Sequence, residues 1–306
     1  MNPDLLDVLS CPACGGGLRP GRCETKGHEI VSGVLTCRDC TKPYVVEGGI
    51  PRFAPEATAA RDRHWEAYHR RVPYDAVVAH MRRRFQLPRG VLLDYYRHAG
   101  LLVERGERAG RVLELGAGSG SYTLALAQLA GAERICLLDV SPAALAGARR
   151  VFAAFGLTPD LVQGDIRSLP FRPRAFDLAL SGGLIEHFAG DTQAKIVAEH
   201  TRVADRALIQ APAPTPAYWA FRLAYSFRPG GWPFGYERPV SRRRLRALLD
   251  SAGFSPVAWD GHDFASAAAL LGAMRWRRFP RFHRWPGLAR TSRHDGIVLA
   301  APTGTS

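Results

Sequence analysis

Arg111-Val-Leu-Glu-Leu-Gly-Ala-Gly-Ser-Gly-Ser-Tyr-Thr-Leu-Ala-Leu126 is the stretch on which the fold turns. Val112, Leu113 and Leu115 form a short apolar run, the pattern of a strand buried on both faces of a parallel sheet. Gly116, Gly118 and Gly120 follow at once, and Leu124, Ala125 and Ala127 then open a helical pattern. A strand, a glycine-rich turn and a helix N-terminus make a floor on which a ligand can lie against bare backbone. The turn therefore predicts a site for a nucleoside-bearing cofactor.

The glycine spacing separates two kinds of cofactor. A dinucleotide turn carries glycines at its first, third and sixth positions. Here the sixth position is Ser121, the fifth is Gly120, and Glu114 stands two residues before the first glycine. Glu-Leu-Gly-Ala-Gly-Ser-Gly resembles the first motif of class I S-adenosylmethionine-dependent methyltransferases. The resemblance implies an α/β fold with a Rossmann-like seven-stranded methyltransferase sheet, and contact of Glu114, Gly116, Gly118 and Gly120 with the cofactor.

The downstream spacing agrees. Arg134-Ile-Cys-Leu-Leu-Asp139 reads as a second strand ending in a carboxylate 23 residues past Gly116. A carboxylate at a second strand tip offers acceptors to two vicinal ribose hydroxyls. Val140-Ser-Pro-Ala then starts a helix, with Pro142 at its first position. A third strand from Asp160 leads to Gly164-Asp165-Ile166. By resemblance, Asp165 accepts from the adenine amine and Ile166 packs on the ring. A fourth strand, Phe176 to Ser181, ends in Ser181-Gly-Gly-Leu-Ile-Glu-His-Phe188. Strand C-terminal tips line the site in open α/β sheets, which puts Ser181 beside the cofactor and Glu186 and His187 beneath its methyl group. A histidine suits deprotonation of an acceptor because it titrates near neutrality; the alternative is that the pair only shapes the pocket. The loop is similar to that of small-molecule O-methyltransferases of quinone biosynthesis. Some of those hold a divalent metal with an additional Glu where this chain has Gly183.

Near the N-terminus, Cys11-Pro-Ala-Cys14 and Cys37-Arg-Asp-Cys40 form two C-x-x-C pairs with a 22-residue spacer. Two such knuckles close a tetrahedron of thiolates around Zn²⁺. Disulfides are the alternative, and the missing secretion signal argues against them. Ile30, Val31, Val34 and Leu35 predict a small hairpin between the knuckles, while Cys23 and Cys136 stand outside the pattern. Together with Tyr44-Val-Val-Glu-Gly-Gly-Ile-Pro51, residues 2–53 resemble the zinc-ribbon activator subunits of tRNA and protein methyltransferases. Four thiolates leave zinc no open position, so its role is structural or partner-directed.

The chain of 306 residues suits one large domain plus a smaller one. No run is long enough to span a bilayer, and a cytoplasmic location is the expectation. The net charge of +13 rests on arginine, since only Lys26, Lys42 and Lys195 are lysines. It reflects either compositional bias or a surface that meets an anion. Residues 54–110 read as a helical linker and lid, with Tyr68 and Tyr74 as aromatics able to reach the cofactor. Residues 111–306 form the methyltransferase domain, with insertions at about 212–240 and 262–294. The first insertion is aromatic and suits a planar or lipid-linked acceptor. The second interleaves arginine with Trp276, Phe279, Phe282 and Trp285 over 274–293, a pattern able to grip RNA or an anionic membrane, or simply to pack. Ser241 predicts an N-capped basic helix, Phe254 to Trp259 a sixth strand, and Gly296 to Ala301 a seventh. The sheet is expected to resemble that of the methyltransferases, with one antiparallel edge strand.

The reading is a methyltransferase using S-adenosylmethionine, with a fused zinc ribbon, acting on an O or N of a small-molecule or lipid-linked acceptor. An RNA methyltransferase is the alternative, although Ser-Gly-Gly-Leu184 replaces the Asn/Asp-Pro-Pro-Tyr run of amino-directed nucleic-acid enzymes. A non-catalytic binding partner with the same fold is a third.

Overall fold

The structure, a computed structural model, describes residues 1–54, 60–227, 231–261 and 295–304. The chain opens with a 3-10 turn, Pro3–Asp7, capped by the Asn2 side chain. Four strands follow: β1 (Leu18–Lys26), β2 (Glu29–Cys37), β3 (Pro43–Glu47) and β4 (Ile50–Pro51). They pair antiparallel in sequence order, and β1–β2 is the expected hairpin between the cysteine knuckles. Helices α1 (Ala60–Arg71), α2 (Tyr74–Phe85), α3 (Arg89–Tyr95) and α4 (Arg97–Glu104) come next. Within the helical stretch expected over 54–110, α3 and α4 are separated at Tyr96, which leaves helical geometry at φ −97°, ψ 65°.

From residue 110, strands and helices alternate: β5 (Gly110–Leu115), α5 (Ser121–Leu129), β6 (Ala132–Asp139), α6 (Pro142–Ala153), β7 (Asp160–Gln163), β8 (Phe176–Gly182), α7 (Asp191–Val203) and β9 (Ala204–Pro212). The remainder comprises α8 (Pro216–Ser226), α9 (Arg242–Ser251), β10 (Phe254–Asp260) and β11 (Asp295–Pro302). The seven-stranded sheet has the order β10-β11-β9-β8-β5-β6-β7. β5 lies inside the sheet between β8 and β6, and Val112, Leu113 and Leu115 are wholly buried because helices cover both faces. β11 runs antiparallel to both β9 and β10 and lies between them. The expectation of an antiparallel edge strand is corrected here: the last strand inserts inside the sheet, and β10 forms the edge. Ile297, Val298, Leu299 and Ala300 carry no polar side chain for an edge to expose, and all are buried.

The other edge, β7, is covered by the N-terminal segment. Phe53 N–H donates to the Gln163 carbonyl at 2.7 Å, and Ser10 and Arg172 exchange backbone bonds with Pro170 and Val8. Leu5, Leu9 and Leu35 share one apolar core with Val162, Leu169, Phe171 and Phe176. Covering an edge strand in this way removes an open ladder. It also clamps the 164–172 loop between the cysteine knuckles and the sheet. Among the described residues, no helix is long and apolar enough to cross a membrane.

Candidate active site

The C-terminal tips of β5, β6, β7 and β8 open onto one cavity of about 420 Å³. Glu114, Gly116, Gly118, Asp139, Asp165, Ile166, Glu186 and His187 all line it. Two other sequence-predicted residues do not. Gly120 serves packing: a Cβ there would lie 2.6 Å from the Phe152 ring, and its left-handed φ of +69° starts α5. Ser181 is wholly buried, with its hydroxyl 2.9 Å from His200 Nε2.

The floor is fixed by backbone hydrogen bonds. Gly118 sits at φ +54°, a conformation that L side chains rarely adopt. Its N–H donates to Asp139 Oδ2 at 2.8 Å, and Ser141 N–H donates to Oδ1 at 2.9 Å. Burial pushes the Asp139 carboxyl up, against His69 and these donors. Glu114 accepts from Thr123 N–H at 3.0 Å, which ties the strand tip to the first turn of α5. Burial lifts its carboxyl to about 7. Asp165 lies at the far rim, where Arg167 engages both of its oxygens.

The cover comes from two other regions. On α1, Trp65 and His69 lie four residues apart and face the cavity. A Cβ on Gly118 would stand 3.3 Å from the His69 ring. Glu66 fastens the helix in place by accepting from Ser141 Oγ at 2.6 Å and Ala143 N–H at 3.2 Å, at the start of α6. The aromatics expected to reach the cofactor, Tyr68 and Tyr74, do not line the cavity. Tyr74 is buried against Gly147 and bonds His69 Nδ1 at 3.0 Å, and Tyr68 packs on Trp65. The second region, from the end of β9 onward, contributes Pro212, Tyr218, Trp232, Phe234 and Glu237. The signal for Trp65 and His69 was their i,i+4 spacing on one helix face; Tyr218, Trp232 and Phe234 belong to the aromatic insertion singled out in the sequence, whereas Glu237 sits in irregular chain and had no signal.

His187 stands where floor and cover meet. Its Nδ1 lies 2.7 Å from the Tyr236 carbonyl. A carbonyl only accepts, so Nδ1 carries a proton, and in the neutral tautomer of that kind the lone pair is on Nε2. Trp65 packs edge-on against the ring at 5.0 Å. Glu186 is buried beside it, with Oε1 3.9 Å from Nε2.

The four knuckle cysteines form a second site. The sulfurs of Cys11, Cys14, Cys37 and Cys40 all lie within 4.8 Å of one another. Cys11–Cys40 and Cys14–Cys37 are 3.7 and 3.5 Å apart. Tetrahedral Zn–S bonds of about 2.3 Å place sulfurs about 3.8 Å apart, so the donor set fits that metal. Cys23 and Cys136 lie outside the cluster.

Comparison with known proteins places this geometry in a family. A methyltransferase domain family matches residues 112–206, and the Trm112p-like protein family matches residues 2–49. The demethylmenaquinone methyltransferase of Thermus thermophilus is 30% identical over 194 residues, 58% of this chain and 87% of that protein. The 4-amino-L-phenylalanine/4-methylamino-L-phenylalanine methyltransferase of Streptomyces pristinaespiralis is 29% identical over 79% of this chain and 78% of its own length. A chloroplastic 2-methyl-6-phytyl-1,4-hydroquinone methyltransferase of Oryza sativa is 38% identical over 78 residues, and the chain spans only 22% of its length. In fold, the chain resembles the S-adenosylmethionine-bound magnesium protoporphyrin IX methyltransferase of Synechocystis PCC 6803, with TM-score 0.50 at 15% identity, over 81% of this chain and 100% of that one. The chain belongs to the class I S-adenosylmethionine-dependent methyltransferases and carries a Trm112p-like domain over residues 2–49.

Proposed function

We propose that the chain transfers a methyl group from S-adenosylmethionine to an O or N atom of a small-molecule acceptor. The observation that carries this reading is the single cavity joining Gly118, Asp139 and Asp165 to His187 and an aromatic wall. The cradle fits the cofactor on two counts. A side chain on Gly118 would occupy the space above the turn, and Asp139 sets a buried carboxylate at its rim. When bound, S-adenosylmethionine supplies an electrophilic methyl on a sulfonium. Asp139 receives the ribose hydroxyls, Asp165 the adenine amine, and Ile166 packs on the ring. Glu114 acts through Thr123, holding the helix start in register with the glycine turn.

At the other end, Trp65, Tyr218, Trp232 and Phe234 suit a planar acceptor. His187 Nε2 takes the acceptor's proton, while Tyr236 holds the ring's orientation through Nδ1. Holding the nucleophile in line with the methyl supplies most of the rate, so one modest base suffices. The two relatives matched over most of their own length are named for demethylmenaquinone and for 4-amino-L-phenylalanine, both small molecules.

The parts divide as 1–53, a zinc ribbon; 54–110, a helical cover; and 111–306, the methyl-transfer domain. Cys11, Cys14, Cys37 and Cys40 hold structural zinc, which steadies the 164–172 loop through Leu9, Ser10 and Phe171. The segment 274–293, read as an RNA or membrane contact, lies outside the described residues.

Calorimetric titration with S-adenosylmethionine, followed by a labelled-methyl screen of small acceptors, tests the reading. Saturable one-site heat and label transfer are expected; a silent isotherm contradicts it and favours a binding partner without catalysis. Metal analysis should return about one zinc per chain.

A further inference from the structure

Helix α8 is built the wrong way round for a surface helix. Its inward side carries polar groups: the buried Tyr218 donates from Oη to Glu237 Oε1 at 2.8 Å, and Arg222 Nη1 donates to Tyr218 Oη and to the Glu237 carbonyl, each at 2.8 Å. Its outward side is apolar. Trp219, Leu223 and Phe227 are 51%, 61% and 82% exposed, and Ala220 and Ala224 are exposed beside them. Positions four apart share one helix face, so the three large side chains make a single stripe that runs past the helix end. Among the described residues, the exposed aliphatic side chains Val45, Leu87 and Val257 lie on separate elements. Scattered residues of that kind need no partner, whereas a contiguous stripe marks a surface that meets one.

Area and charge choose the partner. With large side chains of about 150–250 Å² each, the stripe presents roughly 400 Å² of apolar surface, about half of the ~800 Å² that each side of a stable protein interface buries. A second copy of the chain carries the same net charge of +13, and two such copies repel one another. An anionic lipid leaflet attracts that charge. α1 and α8 both pack on the 232–234 stretch, through Tyr68 on Phe234 and Tyr225 on Trp232, and α1 leaves Arg63, Arg70 and Arg71 exposed on this cover. Trp219, Leu223 and Phe227 carry no charge by which a protein partner would fix its register, and a bilayer requires none.

We propose that the outward face of α8 docks on an anionic lipid bilayer, with Trp219, Leu223 and Phe227 entering the boundary between headgroups and acyl chains. The 11 residues of α8 rise about 16 Å, roughly half of a hydrocarbon core, so the helix lies in the interface and does not span it. Tyr218, on the opposite side of the same helix, lines the cavity. On the methyl-transfer reading, docking sets the acceptor end of the cavity about one helix diameter, ~10 Å, from the lipid, which suits an acceptor dissolved there.

Flotation of the full zinc-loaded chain with vesicles tests the face. The chain should float with an equal mixture of phosphatidylcholine and phosphatidylglycerol, and at least about tenfold less with phosphatidylcholine alone. The double variant Leu223→Ser with Phe227→Ser changes no charge and should lose at least about tenfold of partitioning into the mixed vesicles. Val257→Ser, on the edge strand β10, should lose less than about twofold. Circular dichroism checks that each variant folds; if the double variant does not, Leu223→Ser alone is read in its place, with a loss of at least about threefold expected. No flotation with the mixed vesicles, equal flotation with phosphatidylcholine alone, or flotation untouched by the substitution overturns the docking. So does a dimer in sedimentation velocity that the substitution dissolves, which gives the face to a second copy. Calorimetry with S-adenosylhomocysteine is run alongside: if the unaltered chain floats as expected but binds none, the docking stands and the methyl-transfer reading falls.

Discussion

One wall of the cavity is made of strand tips, with Gly116, Gly118, Asp139 and Gly164 held by the parallel sheet and by backbone hydrogen bonds. The facing wall is made of side chains, with Trp65 and His69 from α1 and Tyr218, Trp232, Phe234 and Glu237 from the stretch after β9. The first wall offers little but backbone and two carboxylate rims, and it presents the same surface to any nucleoside. The second is large, aromatic and irregular, and its shape depends on which rings the chain carries there. In the proposed function, cofactor binding falls to the sheet and acceptor choice to the cover, which gives each substitution below a distinct signature.

The largest effect belongs to the floor. Gly118→Val forces a β-branched residue into left-handed geometry and fills the space beneath His69. It should weaken S-adenosylmethionine by about 1000-fold, roughly 4 kcal/mol, in a calorimetric titration. An affinity within tenfold of the unaltered chain would break the assignment of that wall.

Glu114 tests the cost of building the floor. Its folded value of about 7 lies above the ordinary carboxyl value, so the folded state prefers the protonated form. Below about pH 4 both states are protonated and no penalty exists. As pH rises from about 4.5 to 7, the unfolded chain ionises first and stability falls; above 7 the penalty is complete. Glu114→Gln keeps an acceptor for Thr123 N–H without the charge. It should gain about 3 kcal/mol over the unaltered protein at pH 8 and almost nothing at pH 4, read as urea midpoints. A pH-independent difference would show that Glu114 is not a strained acid.

His187→Ala should lower kcat by about 100-fold with little change in S-adenosylmethionine affinity. Equal losses in both would move His187 from the acceptor end to the cofactor floor. The smallest effect belongs to the cover. Trp232→Ala should raise the acceptor KM about fivefold, roughly 1 kcal/mol, and leave kcat and cofactor affinity nearly unchanged.

The floor was legible in the sequence because regular structure enforces regular spacing. A strand that ends at Leu115 and another that ends at Asp139 must place their tips side by side, since β5 and β6 pair in parallel from Val112–Ile135 to Leu115–Leu138. The four cysteines were legible for a similar reason, each pair bound to one tight turn. Ser181 was misplaced because alternation along β8 was not resolved by an apolar run: it points to His200, on the buried face. Trp65 and His69 were passed over for Tyr68, a rotation away on the same helix, and for Tyr74 at the start of the next helix, a difference that composition does not encode. The order of β10 and β11 depends on a long-range pairing with β9, which no local pattern carries. Glu237 lies in a stretch without periodicity, and only the bonds from Tyr218 and Arg222 reveal how it is held.

The most direct test is a crystal structure of the full chain with S-adenosylhomocysteine. The division of the cavity predicts ribose hydroxyls on Asp139, the purine between Ile166 and Asp165, and the sulfur directed toward the His187 side, with Trp65, Trp232 and Phe234 leaving an open space beyond it. Ligand density lodged among those aromatics, or outside the glycine turn, would contradict it.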